Sequence, residues 1–309
     1  MRLIFLRLGN AELSARGDLA FERLWFGMAS IGLQDYGHPI SESETDPLIM
    51  LENMYALGIR KFDTAANYGC SEELLASLVR QHKDCVVATK IGSEFYPDRV
   101  GSLDNAIREL ERSLSLLSKI DTVYLHRSTA DVLYDESIFK RLEQYMRSGD
   151  ISRLGASVYG KSQLISAIEH ERIDIIQVAG CILDWSLLRL RPSTVDKKIV
   201  CRSVFLQGLL FKNRSEKYCL PDSSVFQERM TVITALSDRL GVNSGQLSLW
   251  FVMNLLPEVD VVVGSRSLSS VKRNLAVLER EIDISMFDEI LEFGDKSYDF
   301  MNPRLWVKK

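Results

Sequence analysis

Eight short apolar runs, separated by stretches long enough to form helices, constrain this chain more than any other feature. The runs cover residues 25–32, 59–65, 85–92, 120–127, 151–159, 173–181, 199–208 and 259–265. Several are apolar on consecutive residues, as in VDVVVG. That is the pattern of parallel strands covered on both faces, not the alternation of a half-exposed sheet. Between the runs, helical periodicity is legible. In 102–118, Leu103, Ile107, Leu110, Leu114 and Leu117 recur at three- and four-residue steps and predict one apolar stripe, with Ser102 as N-cap and Asp104 in the first turn. Ser71 is expected to head a helix over 72–80 in the same way. Two consecutive helices are expected over 222–240 and 244–255, and two more over 267–279 and 283–296.

Eight βα units fit one closed barrel within 309 residues. The rival is an open doubly wound sheet, which would ordinarily bind a dinucleotide through GxGxxG after a strand, and this sequence has no GxGxxG. The expected fold is therefore α/β, a (β/α)8 TIM barrel in a single domain spanning 1–309. It carries a short N-terminal cap before Trp25 and a C-terminal helical extension.

Composition narrows the function. A formal charge of −4 argues against a nucleic-acid partner. Five scattered cysteines, Cys70, Cys85, Cys181, Cys201 and Cys219, without a CxxC, read as free thiols in a reducing compartment and offer no metal site. The apolar stretch Leu3 to Leu6 is too short for a signal peptide, and no stretch is long enough to span a membrane. A cytoplasmic enzyme acting on a small molecule is the expectation, with no membrane partner; the sequence leaves the oligomeric state open.

In a barrel, chemistry sits at the C-terminal ends of the strands. There IRKFDTAANYG brings Asp63 and, in the loop beyond, Tyr68; VVATKIG brings Lys90; TVYLHRS brings His126. A lone lysine or aspartate at a strand end is usually an ion pair, and a lone histidine or tyrosine is usually packing. Four in order on successive strand ends make a coherent set. A lysine ammonium would favour the phenolate and lower the tyrosine pKa, and an aspartate would hold the ammonium. A neutral histidine would orient a carbonyl. Such a set can stabilise an oxyanion and protonate it.

The segment GIRKFDTAANYGCSEELLASLV closely resembles the signature of the aldo-keto reductase family. The resemblance continues through ATKIG, YLHRS, GDISRLGASVYG and VVVGSRSLSSVKRNLAVLE, and so covers nearly the whole chain. It implies an NADP(H)-dependent enzyme that reduces an aldehyde or ketone to an alcohol. Asp63, Tyr68, Lys90 and His126 match the family's catalytic tetrad, with Tyr68 as general acid. A family version that reduces carbon–carbon double bonds has glutamate at the histidine position, so His126 argues against that chemistry.

The resemblance also assigns cofactor positions. Ser157 and Gln177 match residues that bond the nicotinamide carboxamide, although Val158 stands where asparagine is usual, and Gly180 and Cys181 stand where many relatives have a Tyr-Asn pair. Arg202 falls where an aromatic usually stacks on the nicotinamide. A guanidinium can stack too, and the alternative is an arginine that binds an acidic substrate. Leu206, Gln207 and Gly208 match the loop beneath the pyrophosphate. In GSRSLSSVKRN, Gly264 permits close backbone approach, and Ser265 and Arg266 lead into a helix N-terminus. Arg266 and Lys272 are the candidates for the adenosine 2′-phosphate and Asn274 for adenine. Tyr36, His38, Trp185 and Trp306 are weaker candidates for lining the pocket.

Two other functions remain open on the sequence. The potassium-channel β subunits resemble this fold, keep cofactor and tetrad, and act as regulators. A catabolic NAD-linked sugar or alcohol dehydrogenase is the other, against which Arg266 and Lys272 argue. Polar loops after the first and fourth strands, with Asp35 and Glu42 in one and Asp131 and Asp135 in the other, lean towards a hydroxylated substrate such as a sugar carbonyl.

Overall fold

A computed structural model describes residues 21–33, 36, 45–190, 197–211 and 218–308. Eight parallel strands close into a barrel. They are β1 (Leu24–Gly27), β2 (Lys61–Asp63), β3 (Val86–Ile91), β4 (Ile120–Leu125), β5 (Ile151–Val158), β6 (Ile175–Ala179), β7 (Lys198–Arg202) and β9 (Asp260–Val263). Each pairs in parallel with its sequence neighbour, and β9 closes the ring against both β7 and β1. Every strand foreseen in the sequence is present. Most are shorter than their apolar runs, chiefly at the C-terminal end. There the chain leaves the ladder to build the mouth: 29–32 is a helical turn and Leu206–Gly208 a short 3-10 turn.

Burial follows the strand pattern. Every residue of β6 is buried, because its two faces meet the barrel interior and the outer helices. Trp25, Ala88, Tyr124, Ile175 and Val200 fill the interior. Gly155 on β5 makes room for the largest of these after Trp25: a Cβ there would lie 2.4 Å from the Tyr124 ring. Tyr124 thus becomes a buried floor, with the Lys90 ammonium 5.9 Å from its ring centroid.

The helices follow their predicted periods, with corrections at the ends. Over Ser102–Leu117 the buried residues are Ser102, Ala106, Ile107, Leu110, Ser113 and Leu117, while Leu103 and Leu114 are only partly buried. Ser102 and Ser71 are the first helical residues and not N-caps. The Ser102 hydroxyl donates to Tyr96 and Arg99 carbonyls, and the Ser71 hydroxyl lies 2.7 Å from Thr64 Oγ1. Helices occupy Ser223–Leu240 and Ser244–Leu255, the second opened by an Asn243–Gln246 capping box. The expected helix over 283–296 is instead a series of short turns, Ile284–Phe287, Asp288–Leu291 and Glu292–Gly294. The tail ends in β10 (Val307–Lys308), antiparallel to β8 (Tyr218–Cys219). The expected N-terminal cap falls almost wholly outside the described residues. Among those residues, no helix is long and apolar enough to cross a membrane, and no cluster of ligating side chains could hold a metal.

Candidate active site

The C-terminal ends of β2, β3 and β4 bring Asp63, Lys90 and His126 to one side of the mouth. Asp63 ends β2 and is 5% exposed; Lys90 is 2% exposed. The Lys90 ammonium donates to Asp63 Oδ2 at 2.7 Å and to the Thr64 carbonyl at 2.9 Å. The other Asp63 oxygen accepts from Gln177 Nε2 at 2.7 Å, across the barrel from β6. A carboxylate and an ammonium buried this deeply persist only because each is paired and further bonded. Burial lowers the Lys90 pKa, and Asp63 opposes that shift.

Tyr68 arrives from the loop after β2. Its backbone N–H donates to Ala65 O, and its carbonyl accepts from Ser71 N, at the start of the helix Ser71–Gln81. Gly69 explains why the loop can sit there. It takes φ +56°, and a Cβ on it would lie 2.2 Å from Gly32 O, while a Cβ on Gly32 would lie 2.0 Å from Tyr68 O. The loops after β1 and β2 therefore interlock backbone to backbone, and only glycine fits at the crossing.

The Tyr68 ring meets His126 edge-on with centroids 5.9 Å apart, and the Lys90 ammonium stands 5.2 Å from the tyrosine centroid. The sequence led us to expect Lys90 to lower the Tyr68 pKa. The structure gives the opposite direction: burial raises it well above its ordinary value, and the Asp63 charge adds to that. Desolvating the phenolate outweighs attraction to an ammonium already held by a carboxylate. His126 is pushed down to about 3, by burial first and then by the positive charges of Lys90, Arg304 and Arg202. The pair is thus a protonated phenol and a neutral imidazole.

All four residues line one cavity of about 240 Å³. Ser157, Gln177, Arg202, Gln207, Gly208, Gly264, Ser265, Arg266 and Asn274 line it as well. Ser157 and Gln177 are partners in register on β5 and β6. Leu206 is buried in the loop after β7, beside the cavity-lining Gln207. That loop is strained. Ser203, Leu206 and Gln207 all have positive φ, at about 1–2 kcal/mol for each such residue. The loop is anchored by the Ser248 hydroxyl, which donates to Val204 O at 2.7 Å. Strain of this kind collects at ligand clamps.

Ser265 and Arg266 precede the helix Leu268–Leu275, whose N-cap Ser267 accepts from Ser270 N. Arg266 donates from Nε to Ser30 O and from a terminal nitrogen to Leu33 O, both at 2.6 Å, and so fastens the loop after β1 to the loop after β9. Lys272 is exposed and does not line the cavity, whereas Arg273 does.

The structure adds residues that the sequence reading missed or ranked low. Tyr36 lines the cavity, half-buried, with its pKa raised to about 12 mainly by desolvation. Tyr159 lines it too, on the same face of the strand end as Ser157, a period-2 signal that was available. Residues 270, 273 and 274 share one helix face, whereas 272 lies nearly opposite 274; that phase would have selected Arg273. Trp185 is buried, donating to Ile290 O, and Trp306 donates to Phe300 O beside Tyr218; neither lines the cavity. His38 lies outside the described residues.

Four buried polar atoms on the cavity wall have no partner: Ser30 Oγ, His126 Nδ1, Gln177 Oε1 and Asn274 Oδ1. Buried orphans of this kind are rare and call for a ligand or a water. Gln177 and Asn274 each present a carbonyl oxygen, the right acceptor for an amide or an aromatic amine. These residues therefore fit a nicotinamide adenine dinucleotide.

A buried Asp–Lys pair, a phenol and a neutral imidazole share one cavity at the mouth of a closed parallel barrel, an arrangement that can offer hydrogen-bond donors to a polar oxygen. The model of the aldo/keto reductase family matches residues 23–295, and the chain belongs to that family of carbonyl oxidoreductases. Among curated proteins it is similar to D-threo-aldose 1-dehydrogenase of a Pseudomonas species, at 26% identity over 90% of this chain and 96% of the relative. It is also similar to the aldo-keto reductase yakc of Schizosaccharomyces pombe, named with NADP(+), at 23% identity over 88% of each chain. Among solved structures, the holo form of aldo-keto reductase AKR11C1 from Bacillus halodurans has a TM-score of 0.67 at 23% identity, covering 88% of this chain and 91% of the other. The thermostable aldo-keto reductase Tm1743, bound to the inhibitor epalrestat, has a TM-score of 0.65 at 18% identity, covering 88% of this chain and 95% of the other. At these identities the structural likenesses speak for the fold.

Proposed function

We propose that this protein reduces an aldehyde or ketone to an alcohol with NADPH, using Tyr68 as general acid. The observation that carries the reading is the Asp63–Lys90 pair sharing one cavity with Tyr68, His126 and the unpartnered oxygens of Gln177 and Asn274. When bound, the dinucleotide supplies a hydride to the carbonyl carbon. Tyr68 and neutral His126 would donate hydrogen bonds to the carbonyl oxygen and orient it. As that oxygen gains charge, Tyr68 would release its proton to it. An alkoxide is far more basic than a phenolate, so the transfer is favourable even from a phenol with a raised pKa. The Lys90 ammonium then faces the new phenolate. Gln177, fixed by its bond to Asp63, would accept from the carboxamide beside Ser157, and Arg202 would border the nicotinamide end. Leu206, Gln207 and Gly208 would support the pyrophosphate. Asn274 would accept from adenine. Gly264 and Ser265 would border the adenosine end, where Arg266 and Arg273 supply charge for the 2′-phosphate; Lys272 is the weaker candidate.

The name of the Pseudomonas relative supports a sugar carbonyl. The loop after β4 no longer does: Asp131 pairs with Arg127 at 3.0 Å, Asp135 caps the helix Glu136–Ser148, and neither lines the cavity.

Tyr68→Phe tests the reading. Turnover of a carbonyl panel, followed by NADPH oxidation, should fall by about two to four powers of ten, while NADPH binding measured by calorimetry stays near wild type. Wild-type rates in the variant would remove Tyr68 from the chemistry. Tight NADPH binding without turnover in the wild type would move the protein to the regulatory class.

A further inference from the structure

The cavity wall carries a cation, Arg202, that no carboxylate of the described residues meets. Among the described residues its lining includes one carboxylate, Asp63, which is paired with Lys90, and three arginines, Arg202, Arg266 and Arg273. Arg266 and Arg273 belong to the adenosine end. Arg202 does not. Its guanidinium lies 3.8 Å from the Tyr159 ring centroid and donates to Val158 O at 2.9 Å. Arg304, in the C-terminal tail next to the cavity-lining Pro303, lies 5.2 Å from the centroid of the same ring. No carboxylate of the described residues pairs with either arginine; their contacts are a carbonyl, a hydroxyl and the tyrosine face.

We propose that Arg202 and Arg304, braced on Tyr159, recognise an anionic group carried by the carbonyl substrate, a carboxylate or a phosphate. The assignment rests on the reductase reading above, because it places the anion in the same cavity as Tyr68 and His126. Three observations support it. A cation half-buried at a cavity wall without a counter-ion is an incomplete ion pair, and an anionic ligand completes it. Both arginines add to the positive field at His126, after burial and Lys90, so both face the same side of the mouth as the imidazole. Arg202 is held in place against the Tyr159 ring, and its contacts to Val158 O and Ser203 Oγ use only two of the five N–H donors of a guanidinium, so others are available to carboxylate or phosphate oxygens. Arg202 supplies the rigid half of the site and Arg304 the exposed half, brought in by the tail.

The test uses matched pairs of substrates with NADPH. The first arm compares ω-oxo carboxylates of two to six carbons with their methyl esters. The second compares glyceraldehyde 3-phosphate with glyceraldehyde. The wild type should prefer the anion in at least one arm by about tenfold or more in kcat/KM, and the arm that responds distinguishes carboxylate from phosphate. Arg304→Gln, at an exposed position, should reduce that preference by about tenfold, mainly through KM, and Arg304→Lys should restore part of it. High salt should weaken the preference in the wild type more than in Arg304→Gln. Equal rates on charged and neutral partners in both arms, or an unchanged preference in Arg202→Gln and Arg304→Gln, would overturn the proposal. A wild type that reduces the neutral aldehydes with no anion preference would leave the reductase reading standing and remove this one. A wild type that reduces no carbonyl would remove the reductase reading. In that case calorimetric titration of succinate and inorganic phosphate into wild type and Arg304→Gln decides the anion site alone, and binding lost in the variant supports it.

Discussion

At the bottom of the barrel, Asp260 receives Lys61 at 2.9 Å, Lys198 at 2.7 Å and the Trp25 indole at 3.0 Å. At the mouth, Asp63 receives Lys90 and Gln177, each at 2.7 Å. Both carboxylates are buried and both are cationically paired, yet the two clusters differ in what surrounds them. The bottom lysines are 28% and 39% exposed, so water shares their solvation; Lys90 is 2% exposed and has no water to fall back on. Around Asp260 the chain closes on itself, with Arg23 donating to the carbonyls of Met253, Leu256 and Val259. Around Asp63 the same barrel leaves Gln177 Oε1 and His126 Nδ1 without partners, and farther along the same cavity Asn274 Oδ1. Asp260 is a rivet at the strand N-termini: Oδ2 accepts from Lys61 and Trp25, and Oδ1, which no hydrogen bond reaches, is met by the Lys198 charge. At the C-termini the unpartnered atoms line a cavity, so that end can still take up ligand atoms.

Breaking each cluster in turn should separate the two roles. Lys90→Met strands Asp63 as a buried charge with one amide partner. It should lower stability by about 3–5 kcal/mol and remove nearly all carbonyl reduction. Asp260→Asn keeps an acceptor for Trp25 and leaves two lysines that can turn to water, so its cost should be nearer 1–3 kcal/mol. Urea midpoints and kcat on the folded fraction of each variant check this. If Asp260→Asn lowered kcat as far as Lys90→Met does, the division between rivet and site would fail.

A smaller effect sharpens the adenosine end of the mouth. Arg273→Ala should weaken NADPH by about one to two powers of ten, as expected for one charge-assisted bond, and NADH hardly at all. Lys272→Ala should change neither. Calorimetric titration of both dinucleotides into the two variants decides between the neighbouring residues. The reverse pattern would return the phosphate role to Lys272.

The barrel was legible because eight buried strands and their helices leave a periodic trace. Asp63, Lys90 and His126 were legible because strand order alone makes successive strand ends neighbours. Less legible was what depends on phase and on the loops. Lys272 and Arg273 differ by one residue in sequence but by more than a quarter turn on the helix, and charge alone does not choose between them. Tyr159, Arg202 and Arg304 meet through side chains from the end of β5, from β7 and from the tail, more than forty residues apart at the nearest, and nothing in local sequence announces that contact. The Tyr68 pKa was misjudged for a related reason: a pattern reveals which charges are near, but not how much water has been removed.

The smallest effect concerns acid. His126 has a pKa of about 3 in the folded chain, against about 6.5 for an unperturbed histidine. Above pH 6.5 the imidazole is neutral in both folded and unfolded chains and contributes no pH dependence. Between 6.5 and 3 the unfolded chain binds a proton that the folded chain refuses, so folding stability falls as pH falls through this window. At pH 5 the loss from this one residue amounts to about 2 kcal/mol, one and a half units at 1.36 kcal/mol each. His126→Gln should lose less stability than the wild type between pH 7.5 and pH 5, measured by urea midpoints. Turnover of the wild type should likewise show no acid limb near pH 6.5 from imidazole protonation. A stability difference between His126→Gln and wild type that stayed constant from pH 7.5 to 5 would mean the imidazole titrates normally, and the neutral hydrogen-bond donor assigned to the site would have to be sought elsewhere.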